Sequence, residues 1–496
     1  MLDNSQIYSR NGISRFPIQS VNAMRQPKII TTCKSYNRDQ FISDCIAGIT
    51  VAMVAMPLSL AIAIASGADP AKGLVTAIIG GFFISLLGGS RVQIGGPTGA
   101  FIVVVFDVIA THGYDGLVLA TFMAGIILVA AGYFRVGRLI AFIPEAVVNG
   151  FTIGIGLIIA SSQLKDFMGL QLASVPADFL EKIPALWGAR DSFNLSAFAV
   201  ALVTLGLIIG LRRAFPRFPG LIVAVALGSL MIVALHLPVD TLYSRFGALP
   251  ESLPVPALPA LGWDRIVELF PSALIIAFLA GVESLLSAMV ADRMIDGHHR
   301  PNAELTAQGF ANIASSLFCG LPATGAIART ATNVKAGGQT PVAGIVHAIV
   351  VLLVMLVAAP LAGNLAMPAL AALLMMTAWN MSEPHKWKSY AAGRRSDLVL
   401  LILTLALTVL VDLTVAIGVG VCLGLALRWW EKRSAASDWT TPERSWTVTE
   451  EEAEAMGPDL GIVAQEVGEI VQEVEGMMQT VQGVQTASAS SNADPH

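Results

Sequence analysis

Long apolar runs separated by short polar breaks make up most of the chain. Many of the runs reach the roughly 20 residues that carry a helix across a bilayer. Length, apolarity and flanking charge predict about fourteen membrane segments. The first half reads approximately as 41–66, 71–88, 98–111, 115–134, 143–163, 194–214 and 219–236. The second half reads as 268–290, 304–319, 324–336, 340–361, 367–380, 396–412 and 413–430. The third and tenth are too short to span alone, and an extended stretch precedes each, Val92–Gly95 and Gly320–Pro322. The expected fold class is an all-α polytopic membrane protein with two half-helices.

Charge in the breaks orients the threading. Arg91, Arg135, Arg138, Arg212, Arg213, Arg217, Arg293, Arg300, Lys386, Lys388, Arg394 and Arg395 all fall in loops on the N-terminal side. Residues 1–40 lack the apolar core of a cleavable signal and carry Arg10, Arg15, Arg25, Lys28, Lys34 and Arg38. Both termini are expected in the cytoplasm. An odd number of spans per half inverts the second half relative to the first, the scaffold of many transporters.

Two breaks are nearly identical. Gly96-Pro97-Thr98-Gly99-Ala100 opens the third segment, and Pro322-Ala323-Thr324-Gly325-Ala326 opens the tenth. Proline ends what precedes it, and threonine suits a helix N-cap. Broken helices at matching places in two halves point to a transporter's binding site. A helix N-terminus offers unpaired N–H groups and about half a positive charge, so two of them facing one cavity suit an anion. Gly99 and Gly325 leave the backbone open to approach. The Thr98 and Thr324 hydroxyls either cap their helices or turn toward the ligand.

Composition agrees with a membrane protein. Charged residues are 13% of the 496 and mean hydropathy is +0.69, against about 25% charged in soluble chains. Cys33, Cys45, Cys319 and Cys422 have no metal-ligand spacing, so no metal or cofactor is expected. No Walker A run, His-Glu-x-x-His run or serine-nucleophile elbow occurs, which argues against an ATP-driven pump and against an enzyme. The glycine pairs Gly154-Ile155-Gly156 and Gly418-Val419-Gly420 lie inside apolar spans and are expected to pack helices. Residues 431–496 are polar and acidic. Val463, Val467, Ile470, Val474, Met477, Val481 and Val484 mark a short heptad seam there, weakened by Gly468, Gly476 and Gly483. The seam suits a transient amphipathic helix or disordered tail more than a stable coiled coil.

Few ionisable groups lie deep in the spans. Arg329 is the only Lys or Arg so placed. A central arginine costs about 2.5–3.5 kcal/mol on insertion scales, so it needs a partner or a purpose. It either attracts the anion or pairs with Glu283 or with carbonyls. Glu283 lies midway along the eighth span, as a proton carrier or as a buried structural carboxylate. His347 is expected to be a satisfied buried histidine, and Asn149 and Asn312 to be interhelical hydrogen-bond partners. Asp107 and Asp412 lie near span ends.

These stretches resemble the SulP family of anion transporters. The resemblance rests on Ala47-Gly48-Ile49-Thr50-Val51 leading to Pro57, on Gly95-Gly96-Pro97-Thr98, on Gly150-Phe151-Thr152 with Gln163-Leu164, and most on Glu304-Leu305-Thr306-Ala307-Gln308-Gly309 through Ala311-Asn312 to Pro322-Ala323-Thr324-Gly325 and Arg329. It covers roughly 40–430. It implies a core domain (41–134 and 268–361) moving like an elevator against a gate domain (143–236 and 367–430). It implies an anion site at Thr98, Gly99, Ala100, Phe101, Thr324, Gly325, Ala326, Ile327 and Arg329, with Leu58 and Ile62 shaping it. In such relatives an acidic residue at the place of Glu283, with a hydroxyl one turn later (Ser287), lines the coupling-ion site. Ile327 stands where sodium-coupled relatives offer a hydroxyl, which favours a proton. The Lys165-Asp166-Phe167 and Ala378-Trp379-Asn380-Met381-Ser382-Glu383 stretches look most like the bacterial C4-dicarboxylate branch.

Two features depart from the family pattern. The tail is too short for the usual cytoplasmic STAS domain, and Leu58 replaces a glutamine common near the substrate. The resulting expectation is a secondary active transporter of sulfate-like anions or C4-dicarboxylates, by proton symport, in the bacterial inner membrane. Alternatives are a sodium-coupled bicarbonate transporter or an uncoupled channel or exchanger of the same fold. The implied partners are a small anion, a proton or sodium ion, the lipid bilayer and a second copy in a homodimer, and no nucleic acid.

Overall fold

Polar and proline residues in the breaks open the helices. Asn37 and Gln40 close a reciprocal capping box at the start of α1 (Arg38–Ala65). Asp69 caps α2 (Pro70–Leu87), and Pro70 sits at the first helical position, where its missing N–H is harmless. α3 (Ile102–Tyr133) is broken at Gly113, whose φ of 73° no helix holds, so the third and fourth predicted segments are two arms of one bent element. α4 (Glu145–Met168), α5 (Leu195–Ala214, capped by Asn194) and α6 (Gly220–Leu235) complete the first half.

The second half comprises α7 (Trp263–Ile295), α8 (Pro301–Leu317), α9 (Ile327–Lys335), α10 (Pro341–Gly363, capped by Thr340), α11 (Met367–Met381), α12 (Arg395–Leu410) and α13 (Leu413–Glu431). The computed structural model describes residues 26–431 apart from 33, 35, 138–144, 173–175, 177–178, 216–219, 393 and 412. The heptad seam, Arg10, Arg15, Arg25, Cys33, Arg138, Arg217 and Asp412 lie outside the described residues. Among the described residues, 7 helices are long and apolar enough to cross a membrane, and shorter apolar helices accompany them. The fold is all-α and polytopic, as the apolar pattern requires.

Packing repeats between the halves. α1 packs on α10 much as α7 packs on α3, and α2 packs on α10 as α8 packs on α3. That exchange of partners is the signature of two inverted repeats. A second set of contacts joins α4 to α11 and α12, and α5 to α6 and α11. Small residues let the helices approach. A Cβ on Gly125 would lie 2.8 Å from the Gly309 carbonyl oxygen at the α3–α8 contact. Gly154 and Gly156 pack α4 as expected, since a Cβ on each would meet Thr408 Cβ at 2.8 Å and the Ala378 carbonyl oxygen at 2.9 Å. Gly418 has open space beside it.

Buried carboxylates tie helix ends together, each fully supplied with donors. Asp44, fully buried near the start of α1, accepts from the Tyr36 hydroxyl (3.0 Å), the Gln339 N–H (2.8 Å), the Thr340 N–H (3.1 Å) and the Thr340 hydroxyl. Burial, and then Asp44 itself, push the Tyr36 phenol above its ordinary range. Glu304, also fully buried, accepts from the Gly89 and Ser90 N–H groups (2.8 and 3.2 Å), the Ser284 hydroxyl (3.0 Å) and the Gln308 amide (2.9 Å). A buried charge persists only when its lone pairs are satisfied in this way.

Candidate functional site

The two broken segments cross at the centre of the core. Gly95–Gly96 (β1) and Thr324–Gly325 (β2) pair antiparallel, with Gly95 opposite Gly325 and Gly96 opposite Thr324. Strands this short form because an interrupted helix leaves buried N–H and C=O groups that must find partners. Side chains complete the pairing. Asn312 takes both ends of Ala323, donating to its carbonyl at 2.8 Å and accepting from its N–H at 2.9 Å. The Ile94 N–H donates to Thr330 Oγ1 (3.1 Å), the Ala326 N–H donates to the Ile94 carbonyl (2.8 Å), and Asn333 donates to the Val92 carbonyl (2.8 Å). Asn312 thus bonds the extended stretch that follows its own helix, not a neighbouring helix as its sequence position suggested, because the interrupted backbone there leaves an N–H and a carbonyl to be paired.

Beyond the crossing each chain turns into a helix. A 3-10 turn, Gly99–Phe101, leads into α3, and α9 starts at Ile327. The first N–H groups of a helix have no partner inside it. These ends therefore present donors and the positive pole of each half-helix.

The two threonines do not cap. Neither helix start has a side-chain cap bond. Thr98 Oγ1 donates to Glu283 Oε2 at 2.8 Å, and Thr324 Oγ1 donates to the Ala280 carbonyl at 3.0 Å. α7 runs past both starts, and its acceptors capture the hydroxyls. The N-cap reading is corrected by this packing, which residue preference alone cannot foresee.

Two of the crossing glycines, Gly96 and Gly325, each make room for a polar side chain from the opposite half. A Cβ on Gly96, which has φ 149°, would lie 2.4 Å from an Arg329 guanidinium nitrogen. A Cβ on Gly325 would lie 1.5 Å from Gln93 Nε2. Gln93 then donates to Ser284 Oγ at 2.9 Å. Arg329 is 1% exposed and donates through one terminal nitrogen to Ser59 Oγ and the Pro97 carbonyl, both at 3.1 Å. Its other terminal nitrogen and Nε have no hydrogen-bond partner among the described residues. Arg329 makes the carbonyl pairing that was one of its two compatible readings, and its charge lies behind the first half-helix start.

The remaining site residues separate by exposure. Thr98, Gly99, Ala100, Phe101, Thr324, Gly325, Ala326 and Ile62 are buried, Leu58 and Glu283 are half-buried, and Ile327 is exposed. Ser287 is buried against Thr330, their hydroxyls 3.2 Å apart. His347 is buried, yet neither ring nitrogen has a hydrogen-bond partner among the described residues, against the expectation of a satisfied histidine. It lies against Gly81 of α2. The sequence reading gave no role to Ser59, Gln93, Ser284, Thr330 or Glu304. Their signal was polarity inside apolar spans, with Glu304 and Gln308 one helical turn apart. A polar cavity of about 270 Å³ elsewhere is lined by Lys165, Asp166, Asp240 and Arg245 and by none of the site residues named above.

Residues 41–404 match the family model described as Sulfate permease family. The chain belongs to this family. YvdB of Bacillus subtilis (strain 168) is 44% identical to this sulfate permease family member over 377 residues, 76% of this chain and 71% of that protein. The bicarbonate transporter BicA of Synechocystis sp. is 32% identical over 336 residues, 66% of this chain and 59% of BicA. The chain therefore spans less than two thirds of BicA's length. In three dimensions it matches the transmembrane domain of a cyanobacterial BicA with a TM-score of 0.71 at 30% identity, covering 77% of this chain and 99% of that one. The resemblance drawn from the Thr-Gly-Ala stretches and the Glu304–Arg329 run thus holds over most of the membrane region of this sulfate permease family member.

Proposed function

We propose that the chain is a secondary active transporter that carries a small oxyanion of the sulfate or bicarbonate type together with a proton. The observation that carries this reading is the β1–β2 crossing, which brings two half-helix starts and the Arg329 charge to one place in the core. Two helix ends supply about one unit of positive field without a mobile cation, so the anion binds and still leaves. Thr98, Gly99, Ala100 and Phe101 form one wall and Thr324, Gly325, Ala326 and Ile327 the other, with Leu58 and Ile62 bounding it. Arg329 contributes field from behind, and Glu283 carries the coupling proton.

In this reading α1, α2, α3, α7, α8, α9 and α10 form a core that slides as an elevator against a gate of α4, α5, α6, α11, α12 and α13. The two sets of helix contacts support that division. The Lys and Arg distribution supports cytoplasmic termini in a bacterial inner membrane, and the family resemblance supports a homodimer.

Uptake by the purified full chain in liposomes tests the proposal, with labelled sulfate, bicarbonate and succinate under an inward proton gradient, an inward sodium gradient and neither. Saturable accumulation of sulfate or bicarbonate driven by the proton gradient is the expected result. Succinate accumulation would instead return the C4-dicarboxylate reading. Ohmic, uncoupled flux would overturn active transport in favour of a channel. Sodium-driven bicarbonate uptake is the second reading, favoured by the similarity to BicA.

A further inference from the structure

We propose that Thr98 reports the protonation state of Glu283 to the anion by reversing the hydrogen bond between them. This rests on the reading of Glu283 as the proton carrier. A threonine hydroxyl has one hydrogen and two lone pairs. An ionised carboxylate is acceptor only, so the Thr98 hydrogen goes to Glu283 Oε2, 2.8 Å away. Thr98 then presents only lone pairs to the first half-helix start, and these repel an anion. A protonated Glu283 donates its O–H to Thr98 Oγ1 instead. The Thr98 hydrogen is released and joins the N–H groups of the half-helix start as an anion donor. One proton arriving on the carboxyl thereby creates one donor for one anion. Each ligand favours the other by the same factor, which is the thermodynamic content of symport.

The surroundings leave Thr98 as the route. It makes no cap bond, so no backbone N–H at the helix start competes for the lone pair that a protonated Glu283 would use. Arg329, on α9, is the charged group that faces Glu283, and its bonded nitrogen is committed to Ser59 and Pro97. Glu304 of α8 reaches only the neighbouring Ser284 and is satisfied by four donors. His347 of α10 lies within the field of Arg329 and has no bond to Glu283 or Thr98. Thr324 is the internal control. Its hydroxyl donates to the Ala280 backbone carbonyl, which takes up no proton, so its hydrogen cannot be released in this way. Only the first of the two sequence copies can switch.

The test measures KM for whichever of sulfate, bicarbonate or succinate the uptake screen returns, at fixed concentration of the anion itself, as pH is varied. Full-length wild type, Thr98→Ser, Thr98→Val, Thr324→Val, Glu283→Gln and the Glu283→Gln/Thr98→Val double variant are compared in liposomes. Wild type and Thr98→Ser should lose affinity by about tenfold as pH rises. Thr324→Val should keep that pH dependence. Thr98→Val should bind weakly at every pH. Glu283→Gln should bind tightly at every pH, because its amide donates to Thr98, and adding Thr98→Val should cost it about tenfold. A pH-dependent KM in Thr98→Val, or a double variant as tight as Glu283→Gln, overturns the Thr98 relay. Proton-driven accumulation retained by Glu283→Gln overturns the underlying assignment of the proton carrier, whatever Thr98 does. Thr98→Ser separates the relay from misfolding, since it keeps the hydroxyl while removing the γ-methyl that Thr98→Val retains.

Discussion

The two half-helix starts read alike in the sequence and sit in different surroundings. The first is closed over. A Cβ on Gly99 would lie 3.1 Å from Met381 Sδ and 3.5 Å from Ile159 Cδ1, atoms of α11 and α4. The second is open, with Ile327 39% exposed and Ala328 exposed beside it. The first hydroxyl rests on a carboxylate and the second on a backbone carbonyl. The Arg329 charge, carried in the sequence by the second copy, lies against Gly96 and Pro97 of the first. One backbone device has thus been used twice with different chemistry. The copy that looked plain in sequence has the carboxyl of Glu283 and the guanidinium of Arg329 bonded to it, because the crossing delivers the second half's side chains to the first half's start.

Six substitutions at five positions test that comparison. The largest effect is expected from Gly96→Ala and Gly325→Ala. A methyl at either position meets a side chain at 2.4 or 1.5 Å, and Gly96 also has φ 149°. Each should destabilise the fold by about 3 kcal/mol or more, read as a lowered midpoint of thermal unfolding in detergent. Equal losses would show that the crossing depends on both halves alike.

Next is Arg329→Leu, which leaves the Pro97 carbonyl and Ser59 hydroxyl without their donor. Anion affinity should fall about tenfold to a hundredfold, and Arg329→Lys should recover only part of it because lysine lacks the planar fork. Unchanged affinity in Arg329→Leu would break the assignment of field to the first copy.

Glu283→Gln comes third. Accumulation driven by a proton gradient should be abolished while anion binding persists, measured by uptake and by binding on the same preparation. The smallest effect is expected from Thr324→Val, about 1 kcal/mol of stability from one lost neutral hydrogen bond. A shift in the pH profile of transport in Thr324→Val would erase the distinction between the copies.

Legibility in the sequence followed the range of the forces. The membrane segments, an interruption between residues 111 and 115, and the shortness of α9 were readable because apolar length and helix breakers act within a few residues. The two broken segments were readable as places, since Gly96-Pro97 and Pro322 with Gly325 interrupt their helices at matching positions. Its wiring was not. Threonine's preference for N-caps gave a wrong partner for Thr98 and Thr324, because α7 brings stronger acceptors from elsewhere in the chain. Ser59 looked like an ordinary polar residue in an apolar span, and Gln93 like one in a break, until packing set them against Arg329 and Ser284.

By itself the sequence determined a two-fold repeat of apolar segments, the two interrupted helices and membership of the sulfate permease family. Those follow from local chain chemistry and from the bilayer's demand that every backbone group be paired within the protein. Only the tertiary structure decided which polar groups meet: Thr98 with Glu283, Arg329 with Pro97 and Ser59, Gln93 with Ser284, Asn312 with Ala323. A buried donor takes whichever acceptor packing brings within about 3 Å, and that is set by how the two halves cross.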